Sequence, residues 1–235
     1  MTPLRRFLLH VCRFSAACGL LFLTLVFVSA LIRLPLNFDS QRVVLPLVGG
    51  FAGGLIFVVF ISRLPVLYVF GHELTHWVAA KCFLRETGAM KISGGSGHVH
   101  VERPNVWIVL APYFIPLYSL AWTGFYGLTR MIWRQPRPGV VIAFNIGLGV
   151  TCAYHGAMTV YALSRAQSDL KMHGIFFSLS LILCCNTGLL LFCLIVASGQ
   201  WGQGWRLTSD FFLVYAAAAA DSAASVFHWA RTLLN

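Results

Sequence analysis

The chain has 235 residues, of which 58% are hydrophobic, 14% aromatic and only 10% charged. Soluble domains are about 45–50% apolar and about 25% charged, so this composition argues against a water-soluble globule and equally against a disordered chain. A polytopic membrane protein remains, and a net charge of +10 set between apolar runs points to lipid headgroups as partners and away from nucleic acid.

A helix needs about 17–25 apolar residues to cross the hydrocarbon core. Runs of that kind fall at roughly 16–32, 47–62, 64–83, 105–129, 139–163 and 173–198. The expected fold is therefore an all-α polytopic membrane protein of about six transmembrane helices. A seventh is open, because the Ala-rich stretch 208–234 reads equally as a span or a surface helix. No cleavable signal peptide stands out after the first run, and the basic start (Arg5, Arg6, Arg13) favours an N-terminus on the inside. One transmembrane domain is expected over 1–235. It comprises two N-terminal helices (1–63), a core (64–198) and a C-terminal loop and helix (199–235), with GQWGQGW at 199–205 read as loop.

Between the third and fourth runs lies a polar, Gly-rich interval, roughly 84–104, that reads as strand and turn. In the second run Gly49, Gly50, Gly53 and Gly54 allow close helix approach or plain packing. Pro112 and Pro116 are expected to bend the fourth run, either as a packing kink or to open a cavity. The seven cysteines include no Cys-x-x-Cys pair and read as small packing residues.

Ionisable groups inside apolar runs are costly and mark function by default. The third run carries His72-Glu73-Leu74-Thr75-His76, an H-E-x-x-H pattern. Residues four apart share one helix face, so His72 and His76 can offer two imidazoles to one Zn²⁺, and Glu73 beside them can take a proton from a metal-bound water. A hydrolytic zinc site needs a third protein ligand. Asp169 is favoured, because an anion offsets the metal charge in a low dielectric. His155 stays open as a ligand or transition-state stabiliser, with Asn145 as another candidate for the stabilising role. Glu86, Glu102, His98, His100 and His173 are more remote candidates. His98 and His100, two apart on a strand, read as one solvated face.

On GHELTHWVAA within an apolar run, then SGGSGHVHV, then the late Asp169, the chain resembles the site-2 protease family of intramembrane zinc metalloproteases. The resemblance implies His72 and His76 as zinc ligands, Glu73 as base and Asp169 as third ligand, in a bacterial-type branch located in the inner membrane. Three features depart from the family pattern, the first being that two apolar runs, 105–129 and 139–163, lie between the motif and Asp169 where the family core has one. Asp169 is followed by Leu170 where the family has Gly, and neither Asn145 nor Asn186 opens an Asn-x-x-Pro. The resemblance is sharp over roughly 64–101 and looser to 186.

The expected activity is hydrolysis of peptide bonds in or near transmembrane segments of protein substrates, with Zn²⁺ as cofactor. A transmembrane helix must unwind before its carbonyls are reachable, and the strand-like segment 92–101 could receive it by strand addition, with Gly94, Gly95, Gly97 and Val99 as substrate-binding positions. Two other readings compete: an inactive membrane scaffold of the same fold, and a divalent-metal transporter.

Overall fold

The structure, a computed structural model, describes residues 2–93, 96–133, 136–165 and 168–234. Nine α-helices and one β-hairpin are found among the described residues. They are α1 (Pro3–Arg33), α2 (Leu45–Ile56, flanked by π-helical turns Ser40–Val44 and Phe57–Ile61), α3 (Pro65–Cys82), β1 (Thr87–Ser93), β2 (Ser96–Val101), α4 (Val106–Phe114), α5 (Leu117–Ile132), α6 (Pro138–Leu163), α7 (Ser168–His173), α8 (Ile175–Ser198) and α9 (Trp201–Leu234). The chain divides into two compact units, one of residues 1–37 with 179–235 and one of residues 38–178.

Among the described residues, four helical segments are long and apolar enough to cross a membrane alone: Pro3–Arg33, Ser40–Ile61, Pro138–Leu163 and Ile175–Ser198. The pair α4 and α5, bent by 71° at its break, makes a fifth if counted as one span. This is fewer than the six expected. α3 falls short because His72, Glu73, His76 and Lys81 interrupt its apolar run. The outer surface suits lipid: Phe60 is 80% exposed and Ile61 70%, an arrangement that favours hydrocarbon over water.

In the first unit α1 packs on α9. Ser29 and the Tyr215 hydroxyl share a 2.7 Å hydrogen bond, and Phe22 meets Phe212 edge to face. Ala30, Leu34 and Leu191 form the buried centre of this unit. Residues 201–205, expected as loop, are the first turn and more of α9. Only the joint at Gly199, with φ +70°, and Gln200 breaks the helix. Gly204 then lets α9 approach α8, since a Cβ there would meet the Ile195 side chain. The glycines suggested a turn, but tertiary packing uses one of them for a close contact inside a helix.

The second unit is organised by α2 and α6. A Cβ on Gly50 would strike the Ile146 carbonyl, and one on Gly54 would come within 2.9 Å of the Val150 Cα. Val58, one turn further on, is buried with Tyr154 and Met158. The contact advances in the same sense on both chains, so the two helices run parallel with backbones nearly touching. Gly49 and Gly53 face open space, so only half of the glycine set serves the approach. α5 packs on α6 through the stacked rings of Tyr126 and Phe144 and through Trp122, whose Nε1–H donates to the Phe144 carbonyl at 2.9 Å.

The Gly-rich interval forms the expected strands. β1 and β2 pair antiparallel, with Lys91 opposite His98 and Ile92 opposite Gly97. Gly97, Val99 and Val101 alternate with His98 and His100, which are exposed. The bend of the fourth run lies at Ile115–Pro116, where Pro116 has no N–H to continue a helix.

Replacing Gly54 by Leu is expected to destabilise the detergent-solubilised protein by about 1–3 kcal/mol through overpacking against α6, whereas Gly53→Leu is expected to have little effect. Thermal unfolding midpoints of the two variants measure this. Equal midpoints would contradict the asymmetric use of the glycines.

Candidate metal centre

α3 begins with Pro65 in its first turn, where a missing N–H costs nothing, and continues unbroken to Cys82. Its periodicity stacks His72 and His76 on one face. Their Nε2 atoms stand 3.2 Å apart, and the ring planes are 80° from each other. Each ring is anchored through its other nitrogen. The Nδ1–H of His76 donates to the Ile108 carbonyl on α4 at 2.8 Å, and His72 Nδ1 meets the Tyr68 hydroxyl at 3.3 Å. An Nδ1 proton committed to a carbonyl leaves the Nε2 lone pair free to bind.

Asp169 comes from the first turn of α7. Its Oδ2 lies 3.6 Å from His72 Nε2 and 3.7 Å from His76 Nε2. The three side chains are only 12%, 14% and 19% exposed. The same carboxylate oxygen accepts a 3.0 Å hydrogen bond from the Tyr113 hydroxyl on α4. Burial by itself would raise the Asp169 carboxyl, but the facing His72 and His76 imidazoles and the Tyr113 hydroxyl hold it well below the usual carboxylate range.

These three residues could hold a metal ion. Ligand atoms about 2.0–2.2 Å from one tetrahedral ion stand roughly 3.3–3.5 Å apart. The observed sides of 3.2, 3.6 and 3.7 Å are close to that triangle. Two imidazole nitrogens and one carboxylate oxygen suit zinc and its first-row neighbours. Among the described residues no other group of three His, Cys, Asp or Glu side chains converges in this way. Asp169, the favoured third ligand, is thus brought to the pair, while Glu86, Glu102, His98, His100 and His173 are not.

Glu73 stands outside the converging set. Its Oε2 accepts the Val99 backbone N–H of β2 at 3.0 Å. Gly97 is what allows this, because a Cβ there would collide with Val69 and come within 2.7 Å of the Glu73 Cγ. Gly97 and Val99 therefore lie against the helix that carries the motif, with Val99 buried. Gly94 and Gly95 lie outside the described residues.

His155 lines a small cavity of about 30 Å³ that reaches His72 and Thr75. Pro112, Ile115 and Leu117 border the same space, so the break between α4 and α5 opens onto it. Asn145 lies elsewhere. Its amide donates to the carbonyls of Arg42 and Val141 at 3.1 and 2.9 Å, which ties the start of the α2 segment to α6. It is roughly 15 Å of helix away from His155.

Tyr113, the Ile108 carbonyl and Tyr68 were not expected from the sequence. Tyr68 had a signal, since it precedes His72 by four residues and so shares its face. Tyr113 and Ile108 had none, because they come from another helix. No family model matches the chain, and neither a curated protein nor a solved structure matches it.

Purified protein is expected to carry about one metal ion per chain, lost in His76→Ala and Asp169→Ala and kept in His155→Ala. Tyr113→Phe is expected to weaken metal affinity by about tenfold, the usual cost of removing a hydrogen bond behind a ligand. Elemental analysis and chelator competition measure both. Full metal content in Asp169→Ala would remove that residue from the ligand set.

Proposed function

We propose that the chain is a membrane-embedded zinc metallopeptidase that hydrolyses peptide bonds in or near transmembrane segments. The observation that carries this reading is the convergence of His72, His76 and Asp169 beside a glutamate on the same helix. When bound there, zinc would supply a polarised carbonyl and a more acidic water. The chain's own groups account for the rest. His72 and His76 are aligned by Tyr68 and Ile108, and Tyr113 fixes Asp169. Glu73 neighbours the metal ligands without belonging to them, as a general base must, and would move a proton from water to the leaving nitrogen.

The hairpin fits a second part of this reading. A substrate segment that leaves its helix needs new partners for its backbone groups, and a strand can provide them. The N–H that holds Glu73 belongs to β2, so a segment added to this strand would meet the base directly. The cavity beside His72 gives water a place next to the site at the α4–α5 break. The basic N-terminus favours a cytoplasmic start, and the bacterial inner membrane is the location that the resemblance implies.

The test is cleavage of a tagged single-pass membrane peptide co-reconstituted with the protein, read by mass spectrometry of the new termini. Wild type is expected to cut within or beside the apolar segment. Glu73→Gln is expected to keep its metal and to lose activity by about 10²–10⁴-fold. A metal-loaded wild type that leaves a panel of such peptides intact would favour the inactive scaffold. Metal flux into proteoliposomes that depends on Asp169 would favour transport.

A further inference from the structure

Because α2 and α6 run parallel, the segments Ser40–Ile61 and Pro138–Leu163 end on the same side of the pair. Arg63 and Arg165 each follow those ends by two residues. Both guanidinium groups lie against one ring, that of Tyr161, at 4.8 and 4.7 Å from its centroid. Sharing a ring confines the two charges to within roughly 10 Å of each other. Among the described residues, the ion pairs are Arg42 with Asp39, Arg103 with Glu102, and the two histidines with Asp169. Among them, neither Arg63 nor Arg165 is paired with a carboxylate.

This pairing is built into the fold. Tyr161 packs against the buried cluster of Val58, Tyr154 and Met158. The Tyr154 hydroxyl donates to the carbonyls of Arg63 and Leu64, at 3.4 and 3.1 Å. Leu64 has φ +45°, a left-handed conformation that a leucine keeps only where its surroundings enforce it. The Arg165 N–H donates to the Ala162 carbonyl at 3.0 Å, which turns the chain out of α6. Two like charges are thus held together at the mouths of two spans. The surface just before them on α2 and α6 is apolar, with Phe60 80%, Ile61 70% and Val160 68% exposed.

We propose that Arg63, Tyr161 and Arg165 form a binding site for the phosphate of an anionic phospholipid headgroup. Arginine forks match phosphate oxygens, and the phosphate offsets the repulsion between the two guanidinium groups. The exposed apolar residues below supply contact for the acyl chains, which a free phosphate would not use. The site stands at the start of α3, about 10 Å of helix from His72, so the lipid would sit on the helix that carries two of the candidate metal ligands. The proposal does not depend on whether that centre is catalytic.

Delipidated protein in detergent can be titrated with dioleoylphosphatidylglycerol and followed by native mass spectrometry. The expected result is a bound lipid in wild type whose affinity falls about tenfold or more in Arg63→Gln/Arg165→Gln. Tyr161→Phe keeps the ring and is expected to keep binding; Tyr161→Ala is expected to lose it. Arg130→Gln/Arg137→Gln removes two charges elsewhere and is expected to leave affinity unchanged. Circular dichroism confirms that each variant is folded. Undiminished binding in the Arg63/Arg165 variant overturns the site, as does an equal loss in the Arg130/Arg137 variant. Displacement of the lipid by millimolar inorganic phosphate overturns the lipid assignment, because the site would then recognise a free anion.

Discussion

Two imidazole nitrogens 3.2 Å apart and a carboxylate must be held where little water reaches them, and much of the second unit can be understood from that constraint. Polar groups at 12–19% exposure need partners or they cost several kcal/mol. Each of the three has one outside the triangle: Tyr68 for His72, the Ile108 carbonyl for His76 and Tyr113 for Asp169. Two of these partners come from α4. That helix is stopped at Ile115–Pro116, and the turn places its residues beside both α3 and α7. A straight helix over 105–129 would carry the following residues past the site and would not open the cavity beside His72.

The parallel pairing of α2 and α6 fixes where α3 begins relative to the end of α6. Gly50 and Gly54 bring the two backbones together, and Val58, Tyr154 and Met158 lock their later turns. The chain then reverses at Leu64 into α3 and turns out again after α6 toward α7. His72, His76 and Asp169 are therefore delivered from neighbouring ends of this pair. The Arg63–Tyr161–Arg165 cluster marks that end as basic and aromatic, a combination suited to a membrane interface.

Local pattern made much of this readable. The apolar runs place most of the long helices to within a few residues, since burial in lipid demands continuous hydrophobicity, whereas α1 starts at Pro3, well before the run at 16–32. The 84–104 interval reads correctly as strands because alternation and glycine are local signals. His72 and His76 are legible because a spacing of four is a property of one helix. Residues 201–205 are misread because all the glycines of the stretch are taken as breakers, while only Gly199 acts as one and Gly204 is a contact for Ile195 within α9. By length and hydropathy α3 is set apart from the other long helices, because its polar residues take it below their hydropathy.

The sequence by itself determined the class of protein, the helix that carries the H-E-x-x-H pattern and the neighbouring hairpin, because periodicity and composition are written in adjacent residues. It ranked Asp169 above His155 on charge alone. Only tertiary structure brought Asp169 to the histidines and left Asn145 to tie the α2 segment to α6. Only tertiary structure supplied Tyr113 and Ile108, and only it set two arginines against one tyrosine ring. The reason is the same in each case. These contacts join residues far apart in the chain, and their meeting depends on how closely the helices approach, which glycine positions permit but do not specify.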